Sequence, residues 1–322
     1  MEPKRILIVD ALNMYFRAYI VNPSLSTSGH PIGGLKGFLG ILNKLVREVR
    51  PNQIVICWDG PGGSQKRKAT NKNYKEGRSP IRLNRDVRNL SAAEEVANKI
   101  WQQTRLFEYL NEMPIVQFLF EHVEADDIIS HVAACSALRG TQKIIVSSDK
   151  DFFQLLDDET VLYRPIQKEW LNKKRVVDMF GIHPLNFALA RAVVGDKSDN
   201  LQGVRGVGLG TIAKRFPFMG DEISYSIDHL INSSEEQSQT GLKCYTNICE
   251  QHLLIEENYK LMQLYSPALS IQAKQYIGET FENFVPQVNK TQILKMFVED
   301  GIADTQVDSL YSNFKKLIRE SK

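Results

Sequence analysis

Nine carboxylates in this 322-residue sequence stand where surface salt bridges do not account for them. Asp10 follows the apolar run 6–9, Asp59 follows the run 54–58, and Asp149 follows the run 144–146 and two serines. Glu124, Asp126 and Asp127 crowd one segment, Asp151 lies two beyond Asp149, and Asp196 and Asp199 are three apart. Carboxylates gathered in one site raise one another's pKa or demand a cation. Oxygen donors with no His or Cys set beside them suit hard ions, magnesium or manganese rather than zinc. Two such ions about 3.5–4 Å apart hold the attacking and leaving oxygens in phosphodiester cleavage. Asp is also common at strand ends and helix starts, where it caps and turns the chain. That reading suffices for any one of these acids, but not for all nine as independent accidents.

The elements that must position them are legible. Three apolar runs of strand length end in or near Asp, and they alternate with helical patterns, which points to a parallel α/β sheet. Ligands of such sheets sit beyond the carboxyl ends of the strands. Residues 34–50 place Leu35, Phe38, Leu39, Leu42, Leu45 and Val46 at helical spacing and stop at Pro51. Ser91 and Glu94 form a capping-box pattern that opens a helix running toward Pro114. At about 100° per residue, a helix from Glu124 puts Ala125, Ile128, Ile129 and Val132 on one face and the acids on the other arc. Residues 184–194 read as a helix with Pro in its first turn and Gly195 just past its end. A helical turn over 195–199 would aim Asp196 and Asp199 the same way. The polar stretch 233–240 reads as a loop or linker, and the chain is mostly helical from Leu242 onward.

Composition sets the class. With 43% hydrophobic and 24% charged residues, disorder over most of the length is excluded, and the length suits one large domain or two. No apolar run approaches the roughly 20 residues that span a bilayer, and the N-terminus does not read as a secretory signal. Cys57, Cys135, Cys244 and Cys249 form no C-x-x-C pair, which argues for a reducing compartment, the cytoplasm. The net charge of +2 conceals an asymmetry: residues 65–88 hold nine Lys/Arg and two acids, and the other 31 bases and 36 acids leave the remainder at −5. Such a block marks a polyanion contact or a solvated loop.

Residues 203–210, Gly-Val-Arg-Gly-Val-Gly-Leu-Gly, imitate a dinucleotide fingerprint, but a helix precedes them where that fingerprint needs a strand. A helix–loop–helix remains, with backbone able to approach a phosphate, or a purely structural loop. A helix opening near Thr211 would offer free N–H groups to an anion, with Lys214 and Arg215 close by.

The order of these pieces resembles the 5′ nucleases, the flap endonuclease and 5′→3′ exonuclease family that includes phage ribonuclease H-type enzymes and the exonuclease domain of bacterial DNA polymerase I. The matching pieces are Ile8-Val9-Asp10-Ala11-Leu12-Asn13, Phe16-Arg17-Ala18-Tyr19, Gly37-Phe38-Leu39, Trp58-Asp59, Tyr74-Lys75-Glu76-Gly77-Arg78, Val123-Glu124-Ala125-Asp126-Asp127, Ser148-Asp149-Lys150-Asp151, Gly195-Asp196-Lys197-Ser198-Asp199-Asn200 and the glycine loop 203–208. They span about residues 5–216, in family order.

The resemblance implies an α/β fold with a mainly parallel, PIN-like sheet in 1–183, including a basic helical arch at about 65–113. A helical region over 184–322 would follow, with a helix–three-turn–helix at about 184–220. It implies Asp10, Asp59, Glu124 and Asp126 as ligands of a first Mg2+, and Asp149, Asp151 and Asp199 of a second, with Asp127 and Asp196 in support and Mn2+ able to substitute. Lys75 and Arg78 match arch residues that reach the scissile phosphate, where fixed cations stabilise developing charge. Arg67 and Lys68 of the arch, a base-stacking Phe16, and Gly203, Gly206, Gly208 and Lys214 of the glycine loop are implied DNA contacts, with K+ held by loop carbonyls. Phe16 as plain core is the competing reading.

The implied activity is 5′→3′ exonuclease and flap endonuclease action on DNA and RNA–DNA hybrid, removing RNA primers or 5′ flaps in replication. The implied setting is a monomer in the cytoplasm, or host cytoplasm for a phage protein, with a single-strand-binding protein or sliding clamp as partner and no membrane. A PIN-like ribonuclease shares the acidic core but lacks the arch and glycine loop. A binding module that has lost catalysis is disfavoured, since no acid of the set is missing. A phosphatase with an Asp nucleophile needs Asp-x-Asp after the first strand, whereas Ala11 and Leu12 follow Asp10.

Overall fold

The computed structural model describes residues 4–77, 81–87, 90–302 and 306–320. Strand β1 (Arg5–Asp10) lies at the centre of a six-stranded sheet of order β3-β2-β1-β4-β5-β6. It pairs in parallel with β2 (Gln53–Trp58) on one side and β4 (Gln142–Val146) on the other. Strands β3 (Val116–Leu119) and β5 (Thr160–Arg164) extend the parallel set, and β6 (Glu169–Leu171) closes it antiparallel to β5. Both faces of the central strands are covered, so those strands read as continuous apolar runs rather than alternating ones.

Side chains of one strand alternate between the faces. Ile6, Ile8, Val55 and Cys57 enter one core, and Leu7, Val9, Ile54, Ile56 and Trp58 the other. The second core is built with α1 (Ala11–Val21), α2 (Gly33–Val49) and α4 (Ala92–Asn111). Between α2 and α4 comes α3 (Gln65–Thr70), a short helix of the basic block. The first core takes α5 (Ala125–Ala134), α6 (Lys173–Phe180), α7 (Pro184–Val194) and α8 (Leu209–Arg215). It also takes α9 (Ile227–Gln237), α10 (Lys243–Glu250), α11 (His252–Met262) and α12 (Ile271–Asn283).

The last helices, α13 (Lys290–Glu299) and α14 (Gln306–Glu320), return to the second core through Ile293, Met296, Leu310, Phe314 and Leu317. Arg105 of α4 fastens the end of α13, with Nε 2.7 Å from Asp300 and an Nη 2.9 Å from Glu299. Residue 183 therefore separates mixed from all-helical secondary structure, while packing runs across it on both faces of the sheet.

The capping box at Ser91 forms as its spacing predicts: the Ser91 hydroxyl accepts from Glu94 N–H and the Glu94 carboxylate accepts from Ser91 N–H. Residues 233–240, expected as a linker, instead continue α9 to Gln237 and add a 3-10 turn. The polar run does not break the helix because Ser234 is buried with its hydroxyl satisfied inside the helix, by the Leu230 carbonyl one turn back. The expected arch also differs. Its first part is only α3 followed by an irregular segment to Gly77. No described helix is long and apolar enough to cross a membrane.

Candidate active site

Asp10 ends β1 and caps α1, one carboxylate oxygen accepting from Asn13 N–H at 3.1 Å. Its other oxygen accepts from the fully buried Ser147 hydroxyl at 2.9 Å. That hydroxyl accepts in turn from Asp149 N–H (3.1 Å), while the Asn13 side chain accepts from Ser148 N–H (3.0 Å). The exits of β1 and β4 are thus stitched together. Asp59, just past β2, accepts from Ala125 N–H at 2.9 Å, which ties that strand end to the first turn of α5. Asp149 accepts from Asp151 N–H at 2.9 Å.

These carboxylates feel one another. Burial first, and then the charges of Asp59 and Asp126, push Asp10 well above the usual carboxylate range. Burial and Asp126 push Asp59 up in the same way. Burial, with Asp126 next, lifts Asp149 to about 6, and Asp199 adds to the effect. Burial and Asp149 lift Asp151 to about 7. Asp10, Asp59, Asp126, Asp149, Asp151 and Asp199 share one electrostatic neighbourhood, at the edge where parallel sheets bind ligands.

Cations of the chain already stand against these acids. Arg67 of α3 pairs with Glu124 and lies 3.4 Å from Asp127, and Lys75 Nζ is 2.5 Å from the other Glu124 oxygen. Tyr74 packs on Leu201, Leu261 and Met262 and donates to Glu124 at 3.4 Å, so it pins the basic segment to α11. Lys75 has φ +58°, with its N–H bonded to the Asp199 carbonyl at 2.9 Å. A non-glycine residue in that region costs about 1–3 kcal/mol and is kept where its side chain must be aimed. Asp127 also accepts from Ala268 N–H at 2.8 Å.

Arg191 of α7 lies 3.0 Å from Asp151 and pairs with Asp196 as well. Against the burial that would raise it, two hydrogen bonds from Ser198 and the Arg191 guanidinium hold Asp196 below the usual range. Glu124, Asp127, Asp151 and Asp196 are thus turned to basic partners, and among the described residues no three His, Cys, Asp or Glu side chains are arranged to hold one ion.

The sequence matches the family described as 5′-3′ exonuclease, N-terminal resolvase-like domain, over residues 5–181. The chain belongs to the 5′–3′ exonuclease family. It is 26% identical to a 5′-3′ exonuclease of Aquifex aeolicus over 323 residues, covering 99% of this chain and 98% of that one. It is 27% identical to DNA polymerase I of Bacillus subtilis over 306 residues, 93% of this chain but only 32% of the polymerase. The bacteriophage T5 flap endonuclease, solved as a pseudo-enzyme–product complex with DNA and metal ions, superposes with a TM-score of 0.63 at 16% identity. That match covers 99% of each chain and shares the α/β fold.

Two residues of this 5′ nuclease that were expected to contact DNA face inward. Arg67 is 12% exposed and spends its charge on Glu124 and Asp127, with Nε on the Leu261 carbonyl at 3.0 Å. It acts here as an internal counter-ion. At Gly203 a Cβ would sit 1.9 Å from the Val194 carbonyl oxygen, so this glycine serves close packing onto the end of α7. Gly206, at φ +74°, and Gly208 have nothing within 4 Å of a Cβ position and face open space. Lys68 and Lys214 are exposed, and Phe16 is half-buried, edge-on to Tyr15 at 5.5 Å. Arg78 lies outside the described residues.

Sequence reasoning missed Ser147 and Arg191. A serine pair after a strand and a lone arginine on a helix carry no spacing signal, and only the fold brings Ser147 and Arg191 to the acids. Arg191→Ala leaves Asp151 and Asp196 without their shared cation and should cost about 3 kcal/mol, the scale of a broken buried pair. Arg191→Lys, which keeps the charge but loses the fork, should cost less. Urea unfolding in chelator reads this, and an unchanged midpoint would mean that Arg191 is not the counter-ion.

Proposed function

We propose that this 5′ nuclease cuts DNA and RNA–DNA hybrid at 5′ flaps, nicks and RNA primers during replication, by phosphodiester hydrolysis at two divalent ions, Mg2+ in the cell with Mn2+ able to substitute. The observation that carries the reading is the shared neighbourhood of six carboxylates, in which burial and neighbouring charge push up Asp10, Asp59, Asp149 and Asp151. Cations placed there relieve the repulsion, and an all-oxygen donor set fits hard ions. Asp10, Asp59, Glu124 and Asp126 would hold one ion, and Asp149, Asp151 and Asp199 the other. When bound, the ions activate water and neutralise charge on the reacting phosphate.

The chain's own groups do the rest. Ser147 holds Asp10 and the Asp149 loop in fixed relation through its two hydrogen bonds. Lys75, and Arg78 beside it in sequence, bring positive charge to the phosphate; Lys75 Nζ must first leave Glu124. Phe16, in the middle of α1, offers a ring for a base, and Lys68 an exposed charge on the arch side. The open backbone at Gly206 and Gly208, with Lys214, grips duplex phosphates without reading sequence. K+ held by carbonyls of that loop, a monomeric state, a cytoplasmic location and a single-strand-binding protein or clamp as partner complete the reading.

Digestion of 5′-labelled flap, nicked and RNA-primed duplexes, in magnesium and in chelator, tests it. Release of short 5′ products that chelator abolishes is the expected result; cleavage in chelator, or of single-stranded RNA alone, refutes it. The grip has its own test. Gly208 has extended backbone, φ −121°, and open space around it, so Gly208→Val should fold normally. Its side chain blocks backbone approach and should weaken duplex binding about tenfold on unrelated sequences alike. Undiminished affinity over a salt series would make the loop a structural turn.

A further inference from the structure

A parallel strand pair is joined by a crossover helix that covers the sheet. Strand β6 instead returns from β5 through the turn 165–168, and α6 then packs on the first core through Val176. On the second face, the β5–β6 end of the sheet is flanked by α2, with α1 at one end and α6 at the other. Two cavities lie there, about 640 and 290 Å³. The larger takes Val161 and Trp170 from the strands and Glu48 and Val49 from α2. The smaller takes Tyr163 from β5 and Ile41, Lys44 and Leu45 from α2. Val161 and Tyr163 are alternate residues of one strand, and Ile41, Leu45 and Glu48 lie on one helix face, so the two cavities lie end to end along one line between β5 and α2, here taken together as a groove. From Ile41 to Val49 it runs about 12 Å along α2. Trp170 is 49% exposed, with its ring 4.8 Å from that of Tyr163. The opposite flank of α2 is taken by α14, through Asn43, Ser309 and Asn313.

The charges choose the occupant. Arg17, Lys44 and Lys168 line one end of the groove, and Arg5, Lys174 and Arg175 the other. Among the described residues, the carboxylates lining either cavity are Glu48 and Asp178. Glu48 stands between the two basic ends, 3.8 Å from Lys44. A nucleic-acid strand carries a charge at every nucleotide and would set a phosphate beside Glu48. A peptide can put apolar side chains over the sheet and reserve its acids for the ends.

We propose that this groove docks an extended acidic segment of a partner protein, with a large apolar side chain against Trp170 and Tyr163 and carboxylates at both basic ends. An exposed aromatic anchor with a charged rim is the usual anatomy of such a site. None of its residues belongs to the acidic cluster, so docking and cleavage are separable.

The test uses the full chain and a fluorescein-labelled peptide with Leu-Phe at its centre and Asp at both ends. A Lys-ended peptide and a labelled oligothymidylate serve as competitors for the reading. The acidic peptide should bind, more weakly as salt rises. Trp170→Ala, and separately Lys168→Glu with Arg175→Glu, should each weaken it by roughly tenfold. Flap cleavage by these variants should match the unaltered protein. No binding of the acidic peptide, equal binding of the Lys-ended one, or indifference to Trp170→Ala overturns the proposal. Oligothymidylate binding lost in Trp170→Ala also overturns it, in favour of a nucleic-acid groove.

Discussion

Asp149→Asn should lower single-turnover cleavage of a 5′-flap duplex by on the order of 10³-fold while leaving duplex affinity equal or improved. The substitution is nearly isosteric, and its amide oxygen can still accept from Asp151 N–H, the contact that shapes the loop after β4. What it removes is one negative charge from a buried group already lifted to about 6 by burial and by Asp126. Loss of a carboxylate that places a divalent ion costs several kcal/mol of transition-state stabilisation, about tenfold in rate for each 1.4 kcal/mol. Phosphate approach becomes easier because one repelling charge is gone.

A second readout keeps folding out of the result. In chelator, Asp149→Asn should melt no lower than the unaltered protein, since a source of repulsion has left the fold. Added Mn2+ should raise the melting temperature of the unaltered protein more than that of the variant, because binding to the native state stabilises by mass action. Full cleavage by Asp149→Asn in magnesium would sink the two-ion assignment.

The acids and their strands were legible because each lies next to an element with a strong pattern of its own. Runs 6–9, 54–58 and 144–146 became β1, β2 and β4, adjacent in the sheet, so Asp10, Asp59 and Asp149 had to meet. Strand β3 was not legible: it has four residues and follows directly on the helix that ends before Pro114. The β5–β6 hairpin was missed because β6 has three residues and no two-residue turn signal precedes it.

The inward turn of Arg67 was hidden for a different reason. Charge patterning places a basic block but cannot say which of its members spends its charge within the chain. Arg67 sits on α3 between exposed Lys66 and Lys68, and only the approach of α5 and α11 separates their roles. Gly203 likewise shares its sequence motif with Gly206 and Gly208, and packing alone reveals that it faces Val194.

Lys75→Ala carries the other large effect, because Lys75 stands at the meeting point of the basic segment and the acids. Its side chain lies 2.5 Å from Glu124, its N–H is bonded to the Asp199 carbonyl, and Tyr74 anchors the backbone beside it. The left-handed backbone at this residue holds its ammonium against Glu124, where the proposed function brings the phosphate. A preorganised donor of this kind is worth roughly 10²-fold in rate, so Lys75→Ala should slow single-turnover flap cleavage by about that factor. Affinity for plain duplex should stay unchanged, since the duplex grip is assigned to the loop at Gly206 and Gly208. The same variant should bind Mn2+ more tightly in the absence of DNA, read by calorimetry, because Lys75 Nζ no longer competes for Glu124. Weaker duplex affinity with an intact chemical rate would make Lys75 a grip. Unchanged Mn2+ affinity would mean that Lys75 does not compete with the ion for Glu124, which Arg67 still holds.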